Sequence, residues 1–389
     1  MTFDGLFTHA MIHELNQTLQ NVRVTKISQP YPNEVILTIR ANRTNYPVLL
    51  SANPRYASFQ YTQIPYTNQA FPSNFTMMLR KYLEGAKLLE IKQLDNDRVV
   101  YFEFLTRNEL GDKLPLLLSA EIMGRYSNVI LINQSTNKII DTIKHVGMDQ
   151  NRYRTLLPGA TYRQPPTQNK ENPFEQDSNT FEELIQKYPN REVLADNLLK
   201  QYQGISKDNA LALADKLHSS NNFVQAFNDF LAMTEDPIPT MNGNNFSIFT
   251  DNPNDKKFTT LSEMLDVFYH TKSNRDRVQQ QGGQLLHVIR KNLQRNKKKL
   301  KKLSNELKAT ENADEYRIKG EVLTTYLYQI KRGMTKITLP NFYDNNKEIT
   351  ISLSNQLSPS QNAQKYFKKY QKLKNAVTFV NEQIELTKK

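Results

Sequence analysis

Two short segments carry residue types that could bind a polyanion. Asp97 and Arg98 lie at a turn between two predicted strands, and Glu121-Ile122-Met123-Gly124-Arg125 ends the next strand. An arginine oriented by a neighbouring carboxylate can bind phosphates or exposed bases. The same residues also have a structural interpretation, in which Asp97 stabilises the turn, Arg98 begins a strand and Gly124 relieves a bulge. Composition alone favours the structural interpretation, so the two segments need support from elsewhere in the chain.

A third candidate is a run of basic residues on a predicted helix. Between Asn274 and Leu303 the only acid is Asp276, and the bases are Arg275, Arg277, Arg290, Lys291, Arg295, Lys297, Lys298, Lys299, Lys301 and Lys302. A solvated helix that is charged only for solubility would mix signs along i, i+4 pairs. The lack of acids therefore favours phosphate contact over a merely solvated face. The formal net charge of +12 also indicates an anionic partner.

Catalytic chemistry finds little support in the sequence. His9 and His13 are spaced i, i+4 with Glu14 beside them, which could hold a metal ion, but no third ligand is visible and ordinary histidines are the better interpretation. There is no Gly-rich phosphate loop and no Gly-x-Ser-x-Gly motif among the 12 glycines. The absence of cysteine excludes a disulfide framework, thiol catalysis and cysteine metal sites in this chain. We expect no enzyme activity, no cofactor and no metal.

The elements that must position these residues are helices and antiparallel strands. Asp4 can cap an opening helix with Phe7, Met11, Leu15 and Leu19 on one face, and a second helix is predicted from Ser73 to Glu84. Strands are predicted at 22–28, 34–40, 47–52, 56–61, 87–94, 98–105, 115–123, 128–133 and 138–144. This order predicts an α+β fold with antiparallel sheets rather than repeating βαβ units.

The middle of the chain is predicted to be irregular and then helical. Residues 157–173 are rich in proline and predict a linker or a wrapping loop. Short helices follow from Thr180 to His218, and the turn at 203–206 could present backbone amides to a nucleic acid. A polar stretch from Asp236 to Asn254 leads into the long helix.

The last third predicts a helical hairpin. Seam residues at steps of 3 and 4 mark an outgoing helix at Leu286, Ile289, Leu293, Leu300, Leu303 and Leu307, and a returning helix at Tyr366, Tyr370, Leu373, Val377, Val380 and Ile384. A tip insert contains two predicted strands, 334–339 and 348–353. If residues about 310 and about 360 face each other, roughly 20 residues of the returning arm are missing, and we expect the chain to be an N-terminal fragment.

These segments together resemble the NFACT family of ribosome quality-control factors, some of which carry a fibronectin-binding label. The resemblance rests on Met1 to Thr8, Asn96-Asp97-Arg98, Ala120 to Asn128, Gly320-Glu321, Asn341 and Tyr343, and it extends over the whole chain. It implies a glycosylase-like helix and antiparallel β-sandwich domain that binds tRNA (1–173), a helix-hairpin-helix domain (174–258), an outgoing coiled-coil arm (259–315), a middle domain at the tip (316–359) and a truncated returning arm (360–389). Glycosylase chemistry is not expected, because Thr2 and Phe3 stand where those enzymes have a proline and a glutamate.

The resemblance implies a protein that acts in the cytoplasm. Family members bind large ribosomal subunits obstructed by peptidyl-tRNA and recruit alanyl-tRNA, so that the stalled chain receives a C-terminal alanine tail. The implied tRNA-binding residues are Asp97, Arg98, Glu121, Ile122, Met123, Gly124 and Arg125. For ribosomal RNA we predict Arg290, Lys291, Arg295, Lys297, Lys298, Lys299, Lys301 and Lys302.

Two other functions remain open. The first is a surface adhesin that binds fibronectin, against which stand an N-terminus without a signal-peptide core and the absence of any apolar run of about 18 residues for a membrane span. The second is a DNA-binding relic that uses the turn at 203–206.

Overall fold

The computed structural model describes residues 3–175, 179–249 and 252–388. The chain forms two units, Met1–Asp276 and Arg277–Lys389, and each is described separately. The first unit combines a large antiparallel sheet with helices, and the second is mainly helical with one strand pair. The predicted α+β class is therefore confirmed.

The sheet of the first unit contains nine strands that pair in one series. They are β1 (Val22–Tyr31), β2 (Glu34–Ala41), β3 (Thr44–Ser51), β4 (Ser58–Tyr61), β5 (Lys87–Gln93), β6 (Val99–Arg107), β7 (Lys113–Glu121), β8 (Asn128–Asn133) and β9 (Lys138–Thr142). The order is β4-β3-β2-β1-β5-β6-β7-β8-β9, and every neighbouring pair is antiparallel. Every predicted strand has its counterpart here.

The predicted two-sheet sandwich is replaced by one sheet that curls over its own core. The halves β1–β4 and β5–β9 stay connected because Val22 pairs with Leu88 and Arg23 with Lys87. Phe59 on the edge strand β4 nevertheless packs against Phe102 on β6, with 6.4 Å between ring centroids. A flat sheet of this order would keep these two strands far apart, since neighbouring strands are about 4.8 Å apart.

Two helices fill the inside of this curl. Helix α1 (Gly5–Asn16) begins where the Asp4 side chain accepts a hydrogen bond from Phe7 N, and helix α2 (Asn74–Leu83) begins where Ser73 accepts one from Thr76 N. The Asp4 cap confirms the sequence prediction, and the second helix begins at the predicted position. The predicted face of the first helix, Phe7, Met11, Leu15 and Leu19, is fully buried.

A second, smaller core lies among four helices: α3 (Asn179–Lys187), α4 (Arg191–Gln201), α5 (Lys207–His218) and α6 (Phe223–Ala232). The proline-rich segment before them pairs with both parts of the unit, because Thr161 bridges to Lys138 of β9 and Glu171 bridges to Tyr202 at the end of α4. The polar stretch after them forms the short strands β10 (Thr240–Asn242), β11 (Asn245–Ser247) and β12 (Lys256–Lys257). Sequence reasoning missed these three strands.

The long helix α7 (Leu261–Thr310) begins inside the first unit. Leu261, Met264 and Leu265 are fully buried in the main core. The Glu14 carboxylate accepts hydrogen bonds from Leu261 N (2.7 Å) and Ser262 N (3.1 Å), which supplies two of the helix's orphan amides with an acceptor. The start of α7 is thus fixed to α1.

The second unit is a helical hairpin with a strand pair between its arms. It comprises the rest of α7, α8 (Ala313–Thr325), β13 (Lys336–Asn341), β14 (Lys347–Ser352) and α9 (Pro359–Lys388). Helical structure continues through α8 to Thr325, past the boundary at 315 predicted for the outgoing arm, and α8 packs closely on α9. A methyl group added at Gly320 would lie 3.0 Å from the Phe367 ring.

The residues of α7 that lie opposite α9 differ from the predicted ones, because α8 lengthens the outgoing side of the hairpin. Lys299 Nζ donates to Gln383 Oε1 at 3.1 Å, so the end of α9 lies near residue 294 of α7. If residues about 310 and about 360 faced each other, as the prediction assumes, the end of α9 would lie near residue 280. All six predicted seam residues of the returning arm are at least half-buried, and Val380 is buried. On α7, Leu303 is buried, whereas Leu286, Ile289 and Leu293 are 51–53% exposed.

Within residues 3–175, 179–249 and 252–388, none of the helices combines the length and apolar composition needed to cross a membrane.

Candidate nucleic-acid interface

The turn that carries Asp97 and Arg98 is held by two distant elements. A methyl group at Gly5 would lie 1.9 Å from the Asn96 carbonyl oxygen, and one at Gly204 would lie 1.8 Å from it, so the three backbones are in direct contact. Asn96 Nδ2 also donates to Gln203 O at 2.7 Å. Gln93 Nε2 donates to Asp97 O at 2.8 Å. The start of α1 and the α4–α5 turn therefore fix the position of this loop.

Arg98 has an unusual environment for an arginine. Its backbone is secured, since Arg98 N donates to Asp97 Oδ1 at 2.7 Å and Arg98 O accepts from Ile122 N at 2.9 Å. Its side chain is half-buried, yet the guanidinium has no hydrogen bond or ion pair with any residue that the structure describes. A guanidinium without a protein partner, on a residue that is half-buried, is a candidate for binding an external anion.

Glu121 lies behind this surface and not on it. Its carboxylate is completely buried and binds Arg154 in a bidentate manner, with Arg154 Nη1 at 2.7 Å and Nη2 at 2.9 Å. Burial raises the pKa of the Glu121 carboxyl, and the contact with Arg154 opposes that rise. The role of Glu121 in tRNA binding stays a prediction, and because its oxygen atoms are paired with Arg154 and shielded from solvent, it is placed to support the site rather than to contact RNA.

The rest of the segment turns outward from this anchor. Ile122 is buried beside Arg98, Met123 N donates to Ser127 Oγ at 2.8 Å, and Gly124 adopts a left-handed φ of 57°. Arg125 is exposed and stacks on the Tyr126 ring, 4.7 Å from its centroid. The structure therefore brings Asp97, Arg98, Ile122, Gly124 and Arg125 to one region of the surface.

A cleft of about 270 Å³ opens in this region, here named the aromatic cleft. Its lining combines five aromatic rings, three cations and three of the predicted tRNA-binding residues, Arg98, Ile122 and Gly124. The full lining is Phe3, Arg55, Tyr56, Ala57, Arg98, Ile122, Gly124, Phe246, Phe268, Tyr269 and Lys272. None of these lining residues is acidic. Sequence reasoning missed its aromatic wall, because Tyr56, Phe246 and Tyr269 come from three segments that no local pattern connects.

The basic residues of α7 are exposed and almost uncompensated. Arg290, Lys291, Arg295, Lys297, Lys298 and Lys301 have no ion pair among the described residues, Lys299 contacts Gln383, and Lys302 lies 3.9 Å from Glu306. On an α-helix these eight positions cover roughly 200° of the surface, away from the predicted seam. The side chains of Arg275 and Arg277 lie outside the described residues.

The metal hypothesis for α1 finds no geometry to support it. Glu14 is occupied at the start of α7, and the His9 ring stacks on Phe174 at 4.1 Å. Burial lowers the pKa of His9. Among the residues that the structure describes, no three histidines, aspartates or glutamates are placed to hold a metal ion.

The turn between α4 and α5 does not present a free amide row to a nucleic acid. Ser206 N donates to Asp4 Oδ2 at 2.9 Å, and Gly204 O accepts from Leu6 N at 3.2 Å. Asn209 Nδ2 also donates to Asp4 Oδ2 at 2.6 Å. The turn is therefore occupied in holding α1, which argues against duplex DNA binding through these groups.

A family model and several relatives match this chain. The model described as "NFACT N-terminal and middle domains" matches residues 4–389. The chain is 43% identical over 389 residues to "Rqc2 homolog RqcH" from Streptococcus pneumoniae D39, a match that spans all of this chain and 69% of the relative. It is 39% identical over 398 residues to "Rqc2 homolog RqcH" from Bacillus subtilis, spanning 99% of this chain and 70% of the relative.

A solved structure also resembles part of the chain. The N-terminal part of the fibronectin/fibrinogen-binding protein from Streptococcus suis matches with a TM-score of 0.64 and 38% identity. The match covers 69% of this chain and all of that structure.

Proposed function

The chain belongs to the NFACT family, a family of ribosome quality-control factors, and from this membership we propose that it binds obstructed large ribosomal subunits and recruits tRNA to them. In this proposal the first unit grips tRNA, alanyl-tRNA in particular, and the basic face of α7 lies along ribosomal RNA. The ribosome's own centre would form each peptide bond of the alanine tail. The chain would act by positioning, which raises the local concentration of tRNA at the subunit.

The observation that carries the tRNA part of the proposal is the half-buried, unpaired guanidinium of Arg98. Arg98 lies beside Ile122 and Gly124 in a cleft that has cations and aromatic rings but no acid in its lining. Cations contact phosphates and aromatic rings stack on exposed bases, so this lining suits both kinds of contact. Glu121 supports the site from behind through Arg154 and does not contact RNA itself.

The test of the tRNA part replaces Asp97 and Arg98 together by alanine. We expect the folded double variant to lose tRNA in a pull-down from cells, because the unpaired guanidinium and its backbone support are both removed. A matched control is Arg107→Ala with Asp112→Ala, which removes the same two charges, both exposed, at the opposite end of β6. Equal tRNA recovery from the two folded variants would contradict the proposal.

The ribosomal part rests on the uncompensated charge of α7. Reversing Lys297, Lys298 and Lys299 to glutamate should weaken co-sedimentation with large subunits and flatten its salt dependence, by up to about 0.9 in the log–log slope for each phosphate that is no longer neutralised. The same reversal at the exposed Lys187, Lys200 and Lys207 of the first unit is the control and should leave both unchanged. An unchanged slope in the first variant would argue against a phosphate-binding helix.

Fibronectin binding is the second candidate function, favoured by the name of the Streptococcus suis protein whose N-terminal part is similar in structure. The arrangement of charge supports it less well, since fibronectin modules recruited by strand addition need a free sheet edge and the excess charge here lies on a helix. Cell fractionation separates the two. Sedimentation with ribosomes that RNase abolishes supports the first function, and display on the cell surface supports the second.

A further inference from the structure

We propose that the aromatic cleft binds one unstacked nucleotide, with its base on the rings of Tyr56 and Tyr269 and its phosphate on Lys272 and Arg98. The inference rests on the proposed function, in which a bound RNA supplies that nucleotide. A free mononucleotide has the same chemistry, and the experiment below distinguishes the two sources.

The size of the cleft selects a small planar ligand. Its volume is about 270 Å³, just below the roughly 300–1,000 Å³ typical of small-molecule sites. Such a space admits one base with part of its ribose. A base must leave its helical stack before the rings of the cleft can stack on it in place of its neighbours.

The aromatic wall provides faces for stacking. Tyr56 and Tyr269 are both half-buried, and their ring centroids are 5.7 Å apart with an angle of 56° between the planes. The two rings are therefore tilted and do not stack on each other. Tyr269 is supported from behind by Phe246 and Phe268, with centroid distances of 6.5 Å and 5.2 Å. Stacking on such rings is how proteins hold single-stranded bases.

The cations of the cleft suit the phosphate. Lys272 Nζ lies 3.9 Å from the centroid of the Phe268 ring and has no carboxylate partner within the described part of the chain. Arg55 is exposed at the edge of the cleft. Arg98 also lines the cleft and has no ion pair with any described residue. With no acid in the lining, the cleft attracts an anion and repels a cation.

Both walls are fixed before any ligand binds. Asn53 Oδ1 accepts hydrogen bonds from Arg55 N (2.9 Å) and Tyr56 N (3.2 Å), and Lys144 Nζ donates to Ala52 O (2.5 Å). On the other side, the Asp266 carboxylate ties α7 to the end of β4 through Thr62 Oγ1 at 2.9 Å. A preformed site loses little conformational entropy on binding.

The test uses the full chain and a single-stranded RNA octamer that carries 2-aminopurine at one position. We expect 2-aminopurine fluorescence to be quenched on binding and Tyr269→Leu to weaken octamer binding about ten- to a hundredfold, the usual effect of losing one stacked base. Tyr269→Phe keeps the ring and should bind like the parent. Tyr56→Leu, in a surface loop, repeats the test at a site with less risk to folding. Tyr328→Leu, which removes a 79% exposed ring from the second unit, should change nothing.

RNA binding by the cleft variants and by the Asp97/Arg98 double variant separates the cleft inference from the proposed function. If both leucine variants bind the octamer like the parent while the Asp97/Arg98 double variant binds less tRNA, the cleft inference is overturned and the proposed function stands. If none of these variants changes RNA binding, both fail. Saturable displacement of the octamer by AMP would support the site and add free mononucleotides to its ligands.

Discussion

Replacing Arg154 by methionine should show how much the buried ion pair with Glu121 stabilises the first unit. Arg154 is buried, and its guanidinium binds both oxygens of Glu121 and the Arg163 carbonyl oxygen, 2.9 Å from Nη1. Methionine preserves much of the side-chain volume but leaves Glu121 buried without a counter-charge. The expected consequence is a less stable first unit and a displaced segment from Ile122 to Arg125.

The magnitude follows from the burial of the pair. Removing one partner of a fully buried ion pair costs about 3–5 kcal/mol, because the other charge remains desolvated. A domain of this kind has a free energy of unfolding of about 5–15 kcal/mol, so the variant should remain mostly folded at 25 °C. Glu121→Gln combined with Arg154→Met removes both charges and should cost less than the sum of the two single changes.

The assay is urea unfolding followed by circular dichroism, performed between pH 5 and pH 8. Without Arg154 the folded-state pKa of Glu121 rises further above its ordinary 4.5, so the folded state then binds the proton more tightly than the unfolded state. Stability of Arg154→Met should therefore fall as pH rises through this window, relative to the parent. Arg163→Met, which removes an exposed cation from the same segment, is the control. A cost below about 1 kcal/mol with no pH dependence would refute the reasoning.

Three further predictions concern contacts between distant elements. His9 has a pKa lowered by burial, so the unfolded state protonates first and the melting temperature should fall as pH drops below 6.5, a trend that His9→Gln should weaken. Gly204→Ala should abolish tRNA pull-down by pushing on the Asn96 carbonyl, whereas Gly243→Ala, with a positive φ but open space, should not. Glu14→Ala should cost about 1–2 kcal/mol in thermal unfolding by removing the acceptor at the start of α7, and an unchanged melting temperature would exclude that role.

Local features of the fold could be predicted from the sequence. Helix caps at Asp4 and Ser73 use a side chain and an amide only three residues apart, so a local pattern contains the whole interaction. The returning helix α9 could be predicted for the same reason, since its seam is a periodic pattern within one element. The facing of α7 and α9 could not, because it depends on where the outgoing arm ends.

The site was only partly predictable because it is assembled from distant segments. Asn96 is held by Gln203, 107 residues away, and Glu14 binds Ser262, 248 residues away. Arg98 could be selected as a candidate from its type and its place at a turn. The burial of Glu121 could not be inferred, because its partner Arg154 lies in an irregular segment without a periodic pattern. A carboxylate in a predicted site can therefore serve as a support as readily as a ligand.

The two basic regions would contribute differently to RNA binding in the proposed function. Cations on α7 are exposed, so their contacts with phosphate are screened by salt and are insensitive to sequence. Arg98 is half-buried beside aromatic rings, where electrostatic interactions are screened less and geometry restricts the ligand. Raising the salt concentration should therefore remove the contribution of α7 first, and the RNA that remains bound should be enriched in molecules that fit the first unit. Selection of RNA would then depend on the rigid loop at Asn96, whereas the basic helix would mainly set how tightly any ribosomal RNA is held.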